Sequence, residues 1–148
     1  MRFWDASAVV PICVDQPTSA RVKSLLMEDA SVVVWWATRT ECVSAFIRQA
    51  RDGLLGGDGE RQARQVLRGL GDVWAEVQPT EAVRSMAERL LAVHSLRAAD
   101  AFRLAAALDW CEGQPRDTVF VSLDARLRGA ADREGFIVHP LIETARSR

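Results

Sequence analysis

The sequence predicts an α/β fold, with a parallel sheet covered by helices on both faces. Three observations carry this. Short β-branched or aromatic runs alternate with longer stretches of helical period along the chain. The short runs, such as Val32-Val33-Val34 and Val119-Phe120-Val121, are apolar throughout instead of alternating, as strands buried on both sides are. Regular strand–helix alternation is itself the pattern of a parallel sheet. A length of 148 residues suits one domain with one core. That domain is expected over residues 1–142, with a polar tail at 143–148.

The elements follow in order. Arg2 to Trp4 is a short strand, and Ser7 to Val14 forms the first helical turns. Asp15-Gln16-Pro17-Thr18 breaks the chain, and Pro17 and Thr18 favour the start of a helix that places Val22, Leu25 and Leu26 on one face. Val32 to Val34 is a buried strand. Thr38 opens a long helix to Arg51, with Cys42, Ala45, Phe46 and Ala50 on its apolar side. Gly53 to Gly59 reads as a loop. It is not a phosphate cradle, because no Lys-Ser/Thr follows it and no strand immediately precedes it. A helix bearing Ala63, Val66, Leu67 and Leu70 comes next, then a short strand from Trp74 to Val77. Thr80 caps a helix with Val83, Met86, Ala87, Leu90 and Leu91 in register, ended by His94. Arg97 to Trp110 is a helix and Val119 to Val121 a strand. Leu123 to Glu134 is a helix stopped by Gly135, and Phe136 to Val138 is the last strand.

Composition narrows the function. Hydrophobic content is 49%, charged content 26% and net charge −1, which argues against a protein that coats nucleic acid through bulk positive charge. The three cysteines, Cys13, Cys42 and Cys111, are widely spaced in apolar helical contexts and read as buried reduced thiols of a cytoplasmic protein. The two histidines, His94 and His139, are isolated, so zinc is not expected. No signal peptide is visible, and the longest apolar run, Val32 to Ala37, is too short to span a membrane.

Four acids depart from the pattern. Asp5 ends the first strand between apolar residues, where an ionised carboxylate is costly without a partner. Asp100 shares a helical face with Leu104, Ala107 and Leu108, although it also suits the N-cap of a shorter helix from Ala101. Asp124 follows a strand and opens a helix, and the cap reading is equally open there. Glu41 lies in the first turn after the Val32–Val34 strand, but Thr38-Arg39-Thr40-Glu41 also matches a capping box. Asp117 precedes its strand and so belongs to the opposite sheet edge. In a parallel sheet the four can meet at the carboxyl ends of the strands, where ligands gather. Clustered carboxylates raise one another's pKa, and a divalent cation relieves that cost. An all-oxygen donor set favours Mg²⁺ or Mn²⁺.

Asp5-Ala6-Ser7-Ala8, Thr40-Glu41-Cys42-Val43-Ser44-Ala45, Leu96-Arg97-Ala98-Ala99-Asp100 and Phe120-Val121-Ser122-Leu123-Asp124, in this order, resemble the PIN-domain family. Within it the chain is most similar to VapC-type toxins of bacterial toxin–antitoxin pairs. The resemblance implies a three-layer α/β/α sandwich with a central parallel sheet of about four to five strands. It implies a Mg²⁺- or Mn²⁺-dependent endoribonuclease with Asp5, Glu41, Asp100 and Asp124 at the metal site. It also implies a cognate VapB-type antitoxin and a homodimer. Ser7 and Ser122 match small hydroxyl positions that orient carboxylates. Arg97 and Arg126 flank the acids as candidate phosphate contacts. Arg103 stands where many relatives carry His; it is not one of the four acids, so the departure is not expected to change the activity, though it can bear on substrate contacts.

Two other functions fit the residues. One is a non-catalytic interaction domain whose acids are caps and solvated charges. The other is a phosphotransfer or phosphatase domain with Asp5 as nucleophile, weakened because the chain's only lysine is Lys23, in a polar helix position.

Overall fold

The computed structural model describes residues 1–142; the expected tail at 143–148 lies outside the described residues. Five strands form one sheet in the order β3-β2-β1-β4-β5. They are β1 (Arg2–Trp4), β2 (Val32–Trp35), β3 (Ala75–Val77), β4 (Val119–Val121) and β5 (Ile137–His139). Every pairing is parallel, with Phe3 opposite Val33 on one side and Phe120 on the other. The helices are α1 (Ala6–Cys13), α2 (Ser19–Glu28), α3 (Thr38–Arg51), α4 (Gly57–Gly71), α5 (Glu81–Val93), α6 (Ala98–Trp110) and α7 (Ala125–Glu134).

The inner strands β1, β2 and β4 bury both faces because their alternate residues enter two separate cores. Phe3, Val33, Trp35 and Phe120 pack with Val83 and Leu90 of α5, Leu104 of α6 and Leu127 of α7. Trp4, Val32, Val34 and Val121 pack with Val9 of α1, Val22 of α2, Phe46 of α3 and Leu67 of α4. The result is the three-layer α/β/α sandwich, with α1–α4 on one side of the sheet and α5–α7 on the other. The chain builds outward from β1 to β3, then crosses back to lay β4 on the free side of β1. The gap beyond the carboxyl ends of β1 and β4 is therefore the switch point of the sheet, the place where such folds form a crevice.

Two local expectations need correction. The glycine-rich stretch does not stay a loop as far as Gly59, because α4 begins at Gly57. Asp58 and Glu60 occupy its first turn, where carboxylates offset the helix dipole, and the burial of Ala63 and Leu67 holds the helix down. The last strand is also shifted to Ile137–His139, because Phe136 follows the left-handed Gly135 and turns into the core. Gly135 has φ +104°, and an added Cβ would stand 3.4 Å from Pro115 Cγ. Gly135→Ala is expected to lower unfolding stability by more than about 1 kcal/mol, read by urea denaturation. The three cysteines are free, and burial pushes the Cys13 thiol up to about 12 and Cys42 higher still. No helix among the described residues is long and apolar enough to cross a membrane.

Candidate active site

Asp5 is the N-cap of α1, placed directly past β1, and its backbone N–H donates to Val121 O across the β1–β4 boundary at 2.9 Å. It is 1% exposed. Its two oxygens have different surroundings. Oδ2 accepts from Ser7 Oγ at 2.5 Å, Ser122 Oγ at 3.2 Å and Ser7 N at 3.3 Å. Oδ1 is buried without a hydrogen bond. The two serines hold one edge of the carboxylate and leave the other without a hydrogen bond. Ser7 Oγ also accepts from Leu123 N, and Ser122 Oγ from Asp124 N, so the same hydroxyls tie the loop after β4 to Asp5.

Asp100 and Glu41 come from the first turns of α6 and α3. The N-cap of α6 is Arg97, so Asp100 lies inside the helix on its buried face, and the alternative of a shorter helix capped by Asp100 is set aside. The capping box is also absent. The N-cap of α3 is Ala37, Thr38 Oγ1 is buried without a partner, and the Glu41 carboxylate is turned away from the cap. Asp124 does act as a cap, its Oδ1 accepting from Leu127 N at 2.9 Å. It nevertheless lines the crevice together with Asp5, Ser7, Glu41 and Arg103. The four acids are thus brought to one sheet edge. His94 and His139 do not join them: His94 faces Glu134 at 3.5 Å, and His139 lies in β5.

The residue misjudged from sequence is Arg103. Its guanidinium sits among the acids, with Nε 2.9 Å from Glu41 Oε2 and 3.4 Å from Asp5 Oδ1, and Nη1 2.8 Å from Asp100 Oδ1. It is mostly buried, and although burial works against its charge, the surrounding Asp5, Glu41 and Asp100 outweigh that and raise its pKa. Burial raises the Glu41 carboxyl above the usual glutamate range; the Arg103 hydrogen bond and charge pull it down, and Asp5 and Asp100 push it up. Arg103, weighed in sequence only as a possible influence on substrate contacts, thus belongs to the acid cluster itself. The sequence offered one signal, its spacing of three from Asp100 on a helix, which places both on one face.

A second cleft adjoins the first and is lined by Arg48, Arg97, Asp100, Arg103, Asp124 and Arg126. The cleft brings Arg97 and Arg126 beside Asp100 and Asp124, and adds Arg48 of α3, which the sequence reading did not single out. A row of arginines next to carboxylates suits a phosphodiester, which needs cationic contacts along its backbone.

The donor chemistry fits a hard divalent cation. The oxygens are carboxylate, and one of them, Asp5 Oδ1, is buried and lacks a hydrogen bond. The spacing is a different matter: among the described residues, no three His, Cys, Asp or Glu stand close enough to hold a metal ion as they are placed. Asp5, Glu41 and Asp100 stand 2.8–3.4 Å from nitrogens of the Arg103 guanidinium, whereas oxygens around one ion lie about 2.0–2.6 Å from its centre.

No protein-family model and no curated protein matches the chain. Solved structures do. PAE2754 from Pyrobaculum aerophilum superposes with a TM-score of 0.65 at 18% identity, over 93% of this chain and 87% of that one. FitAcB from Neisseria gonorrhoeae superposes with a TM-score of 0.64, also at 18% identity, over 93% of this chain and 96% of that one. At this identity the likeness is one of fold. The fold is PIN-like. The PIN-like sheet accounts for the placement of the acids, since each of Asp5, Glu41 and Asp124 follows a parallel strand to the same edge.

Proposed function

We propose that this chain is a metal-dependent endoribonuclease of the VapC type, the toxin of a toxin–antitoxin pair. The observation that carries the reading is the convergence of Asp5, Glu41, Asp100 and Asp124 at the switch point, with an arginine-lined cleft alongside. The sequence resemblance and the likeness to two PIN-like structures support it. Asp5 and Asp100 would hold Mg²⁺ or Mn²⁺ directly, and Glu41 and Asp124 directly or through water. When bound, the ion supplies Lewis-acid chemistry, lowering the pKa of water and offsetting charge on the phosphate. The chain's own residues do the rest. Ser7 and Ser122 fix the Asp5 carboxylate, while Arg97, Arg126 and Arg48 place the RNA backbone beside it. Glu41, whose proton affinity is raised by burial, is suited to take a proton from the attacking water. The products would carry a 5′-phosphate and a 3′-hydroxyl. A VapB-type antitoxin would cover the crevice, and the active form would be a homodimer.

One observation favours a second reading, the non-catalytic interaction domain: the acids already have a cation in Arg103. Phosphotransfer from Asp5 has no comparable support, as Lys23 is exposed on α2. A metal titration separates the first two. At Mn²⁺ a hundredfold above its Kd, a true site gains about 2.7 kcal/mol of stability, seen as a rise in Tm that EDTA reverses. The same protein should cut single-stranded RNA with Mn²⁺ and stop with EDTA. No Mn²⁺-dependent rise in Tm, together with intact RNA, would leave the interaction domain as the surviving reading.

A further inference from the structure

We propose that Arg103 is the resident counter-ion of the carboxylate cluster, and that its guanidinium and a divalent cation take the same place in turn. This rests on the metal-site reading above. The argument begins with charge. Asp5, Glu41 and Asp100 all face one side chain, and their side chains are 1%, 20% and 11% exposed. Ionised carboxylates so far from water need a positive partner, or one of them takes up a proton. Arg103 meets that need within the same chain. It reaches from the second turn of α6 back over Asp100 and across to Glu41, 62 residues earlier in sequence.

Geometry then makes the two cations exclusive. Arg103 Nε lies against Asp5 Oδ1, the one buried carboxylate oxygen without a hydrogen bond and the best ligand in the crevice. An ion bonded to that oxygen at about 2.0–2.2 Å on its Arg103 side would crowd the nitrogen, which stands 3.4 Å from the same oxygen. The carboxylates would also have to close in, which the fork prevents while it is paired to Glu41 and Asp100. Arg103 has somewhere to go. It lines the second cleft as well as the first, and there it would join Arg97 and Arg126 where the phosphodiester lies. The metal-free protein thereby keeps part of its acid charge offset by a cation of its own, and loading the ion swings that cation towards the substrate side. The cost appears as weakened metal affinity, because the ion binds only the fraction of molecules in which Arg103 has left.

The test measures metal binding and the position of the side chain, not cleavage. Mn²⁺ is titrated calorimetrically into EDTA-stripped parent, Arg103→Ala and Arg126→Ala proteins. The Arg103 Nε–H proton is followed by NMR as Mg²⁺ is added to the parent, its signal assigned by its loss in Arg103→Lys. Arg103→Ala is expected to bind Mn²⁺ at least tenfold more tightly. Arg126→Ala, which removes a like charge from the neighbouring cleft, should change affinity less than threefold. The Nε–H signal should start in slow exchange with water and move to the position of an exposed arginine at saturating Mg²⁺. Equal or weaker Mn²⁺ binding by Arg103→Ala, or an Nε–H signal unmoved while Mg²⁺ binds, overturns the proposal and leaves the metal site standing. Absence of Mn²⁺ binding by parent and variants alike overturns both. If Arg103→Ala does not fold without metal, the NMR measurement on the parent decides.

Discussion

Asp5→Asn is expected to lower Mn²⁺-dependent RNA cleavage by on the order of 10³-fold, the scale of losing several kcal/mol of charge stabilisation at the reacting phosphate. The substitution is nearly isosteric, so the Ser7 and Ser122 hydroxyls can still donate to the remaining oxygen, and the link across β1 and β4 survives. What is lost is the charge and the oxygen left without a hydrogen bond. From an acid cluster alone, the metal-free variant would be expected to gain stability by relief of repulsion. The position of Arg103 reverses that. Oδ1 accepts no hydrogen bond, but it stands 3.4 Å from Arg103 Nε, and exchanging it for an amide nitrogen removes that charge pairing and sets NH₂ against a buried cation, at a cost of about 1–3 kcal/mol. Cleavage measured by gel and melting measured in EDTA therefore move in the same direction, with the activity loss far exceeding what reduced stability explains. Asp100→Asn, which also faces Arg103, should behave alike. Cleavage by both variants at the parent rate would remove the acids from the reaction.

The strands and most helix limits were legible because burial on both faces leaves unbroken apolar runs and one-sided burial leaves a 3.6-residue period. Thr38–Arg51 shows both the strength and the limit of that reading. Its extent follows from periodicity. Its first turn is ambiguous in sequence because a Thr-x-x-Glu spacing is satisfied locally in many helices, whereas in the structure Glu41 is claimed by an arginine from another helix. Gly57 to Gly59 were read as loop from propensity, which tertiary burial of Ala63 and Leu67 overrides. Asp5 and Asp100 were legible as acids in apolar settings. Arg103 was not, since an Arg three residues after an Asp on a helix is an ordinary surface pair. What makes it central is contact with Glu41 and Asp5, and no local pattern encodes a contact between residues so far apart in sequence.

Phe120→Ala is expected to lower stability by about 3–5 kcal/mol and Tm by roughly 10 °C. Phe120 is fully buried in β4, its ring stacked on Phe3 at 5.4 Å and tilted against Phe136 at 5.5 Å. Those three rings join β1, β4 and the entry to β5, so the cavity left by truncation opens at the centre of the sheet, where neighbours held by strand pairing cannot collapse into it. The consequence reaches the site through two short segments. Asp5 follows Phe3 by two residues, and Ser122 and Asp124 follow Phe120 by two and four. Carboxylates placed by strand ends are only as well fixed as the strands, so the variant should lose cleavage at temperatures where its far-ultraviolet circular dichroism is still native. Phe120→Leu, which keeps most of the volume, should recover the greater part of both losses. Activity and melting that separate in Phe120→Ala, with cleavage at the parent level up to the unfolding transition, would show that the acids are held by their own hydrogen bonds and not by the packing beneath them.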